Sequence, residues 1–218
     1  VALSPLTPTK FLGQVWPIAS KQYPDLRIQL VPFENEKNIV WNMLSHLGSD
    51  GQVDIVVATY DEDFLERRNC TALKLRDLQL SICMSSTHKL AQKEKISIED
   101  LVEATRRRGG GKLLLRSDDW MRGYDNVKEI FTHDERIEKE FYDFLTMDIL
   151  NRCGNSNYFL LATESWIFSH PLIKAVPLDI NATLPFGAIH SKKPSEPVKK
   201  FLRIVDFVNL EYKNFQLW

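Results

Sequence analysis

Apolar positions along the chain change period several times, and each change marks an element. Phe11, Leu12, Val15, Trp16, Ala19 and Tyr23 fall on one broad face at helical spacing. Pro17 interrupts that face and is expected to remove one backbone hydrogen bond; Pro24 ends it. Leu26, Ile28 and Leu30 then alternate with polar residues, which predicts a strand stopped by Pro32. Val40, Met43, Leu44 and Leu47 return to the helical period, with Gly48 as a stop. Residues 53–58 form an apolar run broken by Asp54, the pattern of a strand covered on both faces. With residues 1–3 read as the end of a strand, the first part reads β-α-β-α-β, a doubly wound α/β layer.

Leu78, Leu80, Ile82 and Met84 alternate cleanly and predict a further strand. Ser97-Ile98-Glu99-Asp100 has the form of a capping box opening a helix. A basic, glycine-rich turn over residues 106–112 leads into a strand at 113–115, followed by a helix over 124–131. Phe144, Leu145, Ile149 and Leu150 suggest a helix closed by Gly154, and residues 158–162, 172–178 and 184–189 read as strands. Ser195 caps a last helix, with Pro197 in its first turn and Val198, Phe201, Leu202, Val205 and Val208 facing inward.

Composition narrows the classes. The 218 residues, 44% of them hydrophobic and 26% charged, are globular in type and long enough to fold without disulfides or metals. Lys and Arg total 28 against 29 Asp and Glu, so the basic surplus that grips phosphates in nucleic acid is missing from this chain. Cys70, Cys83 and Cys153 are widely spaced and odd in number, as expected of reduced thiols in a cytoplasmic protein. No apolar run approaches the ~20 residues of a membrane helix. The opening, Val1-Ala2-Leu3-Ser4-Pro5, has neither an initiator Met nor a signal-peptide pattern, and reads as a piece of a longer chain.

Catalytic signatures are sparse. The chain contains no G-x-S-x-G, H-E-x-x-H, P-loop or G-x-G-x-x-G. Ser86-Thr87-His88-Lys89 fits S-x-x-K, but the companion motifs of serine acyl-enzymes are missing and a loop is the simpler reading. The five histidines stand singly, so no metal site is expected, and the acidic trio Asp61-Glu62-Asp63 reads as a solvated loop. In Arg106-Arg107-Arg108-Gly109-Gly110-Gly111-Lys112, glycines could turn backbone N–H groups toward an anion that the arginines neutralise. Phosphate loops place a helix directly after such glycines, and none is expected here, so a hairpin tip is the plainer reading. An α/β chain of this kind is built to bind rather than to react.

Several segments, in order, resemble the effector-binding domain of LysR-type transcriptional regulators. Tyr23-Pro24-Asp25-Leu26-Arg27-Ile28 is similar to the family's entry into its second strand, and Gly51-Gln52-Val53-Asp54-Ile55-Val56-Val57 to its "G-x-L-D-L-A-I". Residues 73–90 with 96–101 resemble "L-x-L-V-x-P-x-x-H-P-L…V-x-L-x-D-L"; Lys89 departs from the proline. Residues 147–154 with 158–164 resemble "L-V-A-A-G-x-G-I-A-L-L-P", residues 172–178 resemble "G-L-V-x-V-P-L", and Phe201-Leu202 occupies the place of the last helix's "F-L".

The resemblance implies a type 2 periplasmic-binding-protein-like fold: two doubly wound α/β lobes joined by two crossovers. Lobe I would comprise residues 1–79 and 162–218, and lobe II residues 80–161. A small-molecule effector would sit in the interlobe cleft, outside the carboxyl ends of the strands, held by Ser4, Thr7, Thr59 and Tyr60 of lobe I and by Ser117, Asp118, Trp120 and Arg122 of lobe II. No cofactor and no metal are implied. The protein would be a cytoplasmic homodimer or higher oligomer, not an enzyme, that touches DNA only through a winged helix-turn-helix domain preceding Val1. Its dimer would use residues 10–22 and 124–131. The alternative on the same architecture is a transporter's solute-binding protein; an enzyme would need a cleft acid or base, for which Asp118 is the candidate.

Overall fold

A computed structural model describes residues 1–4, 11–34, 36–48, 53–107, 109–165 and 170–211. The chain divides into two compact units, Val1–Arg76 with Pro185–Trp218, and Asp77–Leu184. Two strands, β4 (Cys70–Ser85) and β9 (Thr183–Ser191), each carry the chain from one unit into the other. The return falls at 184/185 rather than at the expected 161/162, because β7 (Phe159–Thr163) and β8 (Ile173–Pro177) both pair with β4 inside the second unit. No helix among the described residues is long and apolar enough to cross a membrane.

In the first unit β1 (Ala2–Leu3) pairs parallel with β2 (Val31–Pro32), in the register Ala2↔Val31 and Leu3↔Pro32. The strand expected over Leu26–Leu30 is irregular instead, with Leu30 exposed, and pairing begins only at Val31. Pro32 is the last residue of β2 and is accommodated in the pairing. The ladder runs through Val31 N to Val1 O and Phe33 N to Leu3 O, both 2.9 Å, so the imide nitrogen falls where no donor is required. α1 (Leu12–Gln22) contains Pro17 and buries Val15 and Ala19 against α7 (Glu196–Glu211). α2 (Lys37–Ser45) ends in a turn at Gly48, whose φ of 75° is the left-handed region. β3 (Ile55–Thr59) is buried except at half-buried Ala58 and pairs antiparallel with β9, Ile55↔His190 through Thr59↔Phe186.

The acidic trio after β3 is not a loop. Asp61 accepts the Phe64 N–H at 2.7 Å and caps α3 (Glu62–Arg67), with Glu62 and Asp63 in the first turn against the helix dipole.

In the second unit the strands lie in the order β6-β5-β7-β4-β8, where β5 is Leu113–Arg116 and β6 is Lys139–Tyr142. β6, β5 and β7 are parallel, linked by α5 (Arg122–His133) and α6 (Met147–Gly154). β4 is flanked by β7 and β8, so neither of its edges is open here, and residues 80–84 are buried on both faces despite an alternating sequence. The stretch 106–112 is not a hairpin tip but the connection from α4 (Ile98–Arg106) to β5.

The capping box forms as read. Ser97 Oγ accepts the Asp100 N–H at 3.2 Å, and Asp100 Oδ2 accepts the Ser97 N–H at 3.0 Å. Ser97→Ala is expected to cost about 1 kcal/mol in urea unfolding. Burial raises the Asp100 carboxyl, but hydrogen bonds from Lys93 and Ser97 outweigh it and hold the group below its ordinary value. The stabilisation is therefore present above that ordinary value and is lost as pH falls through the lowered one. The Ser97→Ala deficit should accordingly shrink in acid.

Candidate functional site

The topology of the second unit singles out one strand end. From β5 the chain crosses through α5 to β6 on one side, then through α6 to β7 on the other. Helices leaving neighbouring parallel strands in opposite directions, here α5 from β5 and α6 from β6, open a crevice outside the carboxyl ends of those strands. The carboxyl end of β5 is Arg116, followed by Ser117 and Asp118.

Arg116 is buried, with its side chain 4% exposed. Its Nε donates to Asp118 Oδ1 at 2.5 Å and its Nη2 lies 3.4 Å from Oδ2. The guanidinium carbon stands 5.3 Å from the ring centres of both Trp120 and Phe144. Beneath it, the Arg116 N–H donates to the Tyr124 hydroxyl at 3.2 Å, and burial pushes that phenol up to about 12. Lys128, also buried, donates to Asp118 O at 3.0 Å and pairs with Asp119 at 3.3 Å and Asp125 at 3.1 Å. Burial pushes the Asp125 carboxyl up against the pull of Lys128, while Asp125 Oδ2 accepts the Trp120 N–H at 2.9 Å. The loop after β5 is thus fixed by two buried cations, each ordered by carboxylates of the same loop or of α5.

Of the predicted second-unit residues, Asp118 and Trp120 gather on Arg116. Asp118 is consequently not an isolated carboxylate awaiting an amine or a proton; its charge is already engaged. Ser117 is exposed and donates its N–H to Tyr142 O at 2.8 Å. Arg122 is exposed as the first residue of α5.

In the first unit, Ser4 follows β1 and Thr59 ends β3, which lies beside β1; both side chains are buried, at 6% and 3% exposure. Tyr60 is buried and donates its N–H to Pro185 O at 3.0 Å. Thr7 lies outside the described residues.

Arg116, Lys128 and Tyr124 were missed by sequence reasoning. The available signal was Arg116 itself, a cation closing the apolar run Leu113-Leu114-Leu115: a charge at the end of a buried strand must be partnered or must face a site. Among the described residues no group of His, Cys, Asp and Glu could hold a metal ion. The three cysteines are buried and form no disulfide, and burial pushes the Cys153 thiol up to about 12 and Cys83 higher still, so neither has thiolate character.

Comparison with known proteins places the chain. Residues 1–121 match the family described as LysR substrate binding domain. Among solved structures, the BenM effector binding domain with its effector benzoate is similar at 18% identity, over 94% of this chain and 88% of that one, with a TM-score of 0.57. The effector binding domain of QuiR in complex with shikimate is similar at 12% identity, over 94% and 92%, with a TM-score of 0.62. Full-length CbnR complexed with its target DNA is similar at 12% identity, over 90% of this chain and 64% of that one, with a TM-score of 0.58. No curated protein matches. The fold is type 2 periplasmic-binding-protein-like, two doubly wound lobes joined by two crossovers, and the chain belongs to the LysR substrate binding domain family of transcriptional regulators.

Proposed function

We propose that the chain is the effector-sensing domain of a cytoplasmic LysR-type regulator, working by capture of a small molecule and not by catalysis. The observation that carries this reading is the switch point at β5. Its carboxyl end presents a buried guanidinium, an engaged carboxylate and the Trp120 ring, a polar group set in apolar walls of the kind that orients a small ligand. The buried hydroxyls of Ser4 and Thr59 stand at the corresponding strand ends of the other unit and can donate to a ligand oxygen without burying another cation. Ser4, Thr7, Thr59, Tyr60, Ser117, Asp118, Trp120 and Arg122 remain the proposed effector contacts, and Arg116 joins them as the group that positions Asp118 and Trp120.

Effector capture acts only through a difference in affinity between conformations. The change would reach a winged helix-turn-helix domain through a homodimer that uses α1 and α5. Those helices leave Trp16 and Ile130 exposed at 36% and 42%, which favours a covered interface there. A strict monomer at high concentration in light scattering would remove the dimer from this reading.

The test of effector binding is a thermal-shift panel of small carboxylates, hydroxy acids and amines on this chain. A true effector at 100 times its Kd adds about 2.7 kcal/mol. Thr59→Ala and Asp118→Asn should each reduce the shift of the best hit, measured from each variant's own ligand-free melting temperature. A shift unchanged in both variants would place the effector elsewhere.

A further inference from the structure

The opposite pole of the second unit carries a cavity that the effector reading does not use. It holds about 560 Å³ and lies at the amino ends of β5 and β7, with Gly109 and Gly110 preceding one strand and Asn155, Ser156 and Asn157 preceding the other. Ser85, at the end of antiparallel β4, completes the rim. The volume is that of a small-molecule site.

Its lining is one-sided in charge. His88, Lys89 and Arg107 face it with the hydroxyls of Ser85 and Thr87 and the amide of Asn157, and none of its lining residues is a carboxylate. Glu103, which is not part of the lining, is shared: Arg107 Nη2 bonds its Oε1, and Lys89 Nζ lies 3.9 Å from the same oxygen. One carboxylate between two cations leaves a net positive charge, and both cations are half exposed, so each can swing to a guest. Ser85 Oγ and Thr87 Oγ1 stand 3.0 Å apart, so only one hydrogen serves their contact and the other is left to donate.

α4 and α6 both end at this pole, and their terminal carbonyls would oppose an anion. Those carbonyls are occupied or covered. The glycine turn folds over the end of α4 so closely that a Cβ on Gly110 would stand 2.6 Å from Thr105 O and 2.7 Å from Ala104 O. At the end of α6, Asn151 O accepts the Asn155 N–H at 3.0 Å, and Arg152 O accepts the Ser156 hydroxyl.

We propose that this cavity binds a phosphate monoester dianion, Lys89 and Arg107 neutralising its oxygens and the Ser85–Thr87 pair donating to them. Arg107, Gly109 and Gly110, after α4, then form one wall of an oxyanion site. It does so without the helix N-terminus of a phosphate loop: the charge comes from side chains. Burial first, then Lys89 and Arg107, hold the His88 imidazole below the usual histidine range, as a positive surround requires. A bound dianion reverses the last two influences and raises it.

The experiment is a titration of the chain with inorganic phosphate and with glycerol phosphate, using sodium acetate at equal ionic strength as control. The His88 ring protons are followed by NMR, with His88→Gln to assign them. Saturable movement of His88 and an upward shift of its titration are expected, with no comparable effect of acetate. Lys89→Gln and Arg107→Gln should each weaken binding about tenfold, and Glu103→Gln should tighten it about threefold by releasing both cations. The tightening separates a ligand role from a merely structural one, since loss of an ion pair alone would not improve binding. Tighter binding of glycerol phosphate than of phosphate identifies an esterified guest, and equal binding identifies the free oxyanion. Non-saturating movement, or affinities indifferent to all three substitutions, overturns the proposal. The effector contacts at the other end of β5 are untouched by these variants.

Discussion

Gly187→Ala should lower the stability of the unit formed by Val1–Arg76 and Pro185–Trp218 by about 3 kcal/mol, at the upper end of what overpacking ordinarily costs. Gly187 sits in β9 opposite Ala58, and its open side faces the backbone of β4 rather than a side chain. A Cβ there would lie 2.1 Å from Leu73 O, 2.9 Å from Leu73 C and 3.1 Å from Lys74 Cα. A flexible side chain could rotate away from the intruder; a strand backbone can yield only by separating from its neighbours. Gly13 provides the control. It lies inside α1 with nothing within 4 Å of an added Cβ, so Gly13→Ala should stabilise by about 0.5–1 kcal/mol through helix propensity. Urea unfolding of the two variants reads both signs. A Gly187→Ala protein that unfolds with the parent would refute the close approach of β9 to β4.

Arg116→Ala should destabilise the Asp77–Leu184 unit by about 3 kcal/mol, the scale of a buried ion pair that loses one partner. The substitution removes the guanidinium paired with Asp118, a planar group that also rests over Trp120 and Phe144. Arg116→Lys should recover only part of the loss. An ammonium keeps the charge but cannot offer two donors in one plane to both carboxylate oxygens, nor stack on two rings. Asp118→Asn should cost less, because the amide oxygen can still accept from the guanidinium and Trp120 and Phe144 still flank it. The double variant Arg116→Ala/Asp118→Asn should be more stable than the sum of the two losses, and the difference measures the coupling. Strict additivity would show that Arg116 is held by the rings alone. Both Arg116 variants are also expected to diminish the thermal shift from a cognate effector, because Asp118 and Trp120 lose the group that orders them.

Where one residue's chemistry decided the local geometry, the sequence was informative. Ser97 and Asp100 announced their reciprocal cap, Gly48 its left-handed turn, and Pro197 the start of the last helix, each because the feature is satisfied within a few residues. Asp61 carried the same information but was read as solvated, since a helix of six residues shows too little periodicity to declare itself. Leu26, Ile28 and Leu30 misled for the opposite reason: alternation can arise without a partner strand, and here the pairing starts only where Val31 meets the N-terminal segment.

From the chain alone came the class of fold, the family resemblance, and hydroxyls at strand ends, all matters of composition, local period and motif order. Tertiary structure decided where the chain returns to its first unit, which strands β4 lies between, and that Arg116 rather than a free Asp118 anchors the end of β5. It also brought Lys89, Arg107 and Asn157 around one cavity, although about fifty residues separate the last two in sequence. The physical reason is common to all of these. Periodicity and capping depend on neighbours within one or two turns, whereas strand order and charge pairing depend on partners that only the completed crossovers bring into reach.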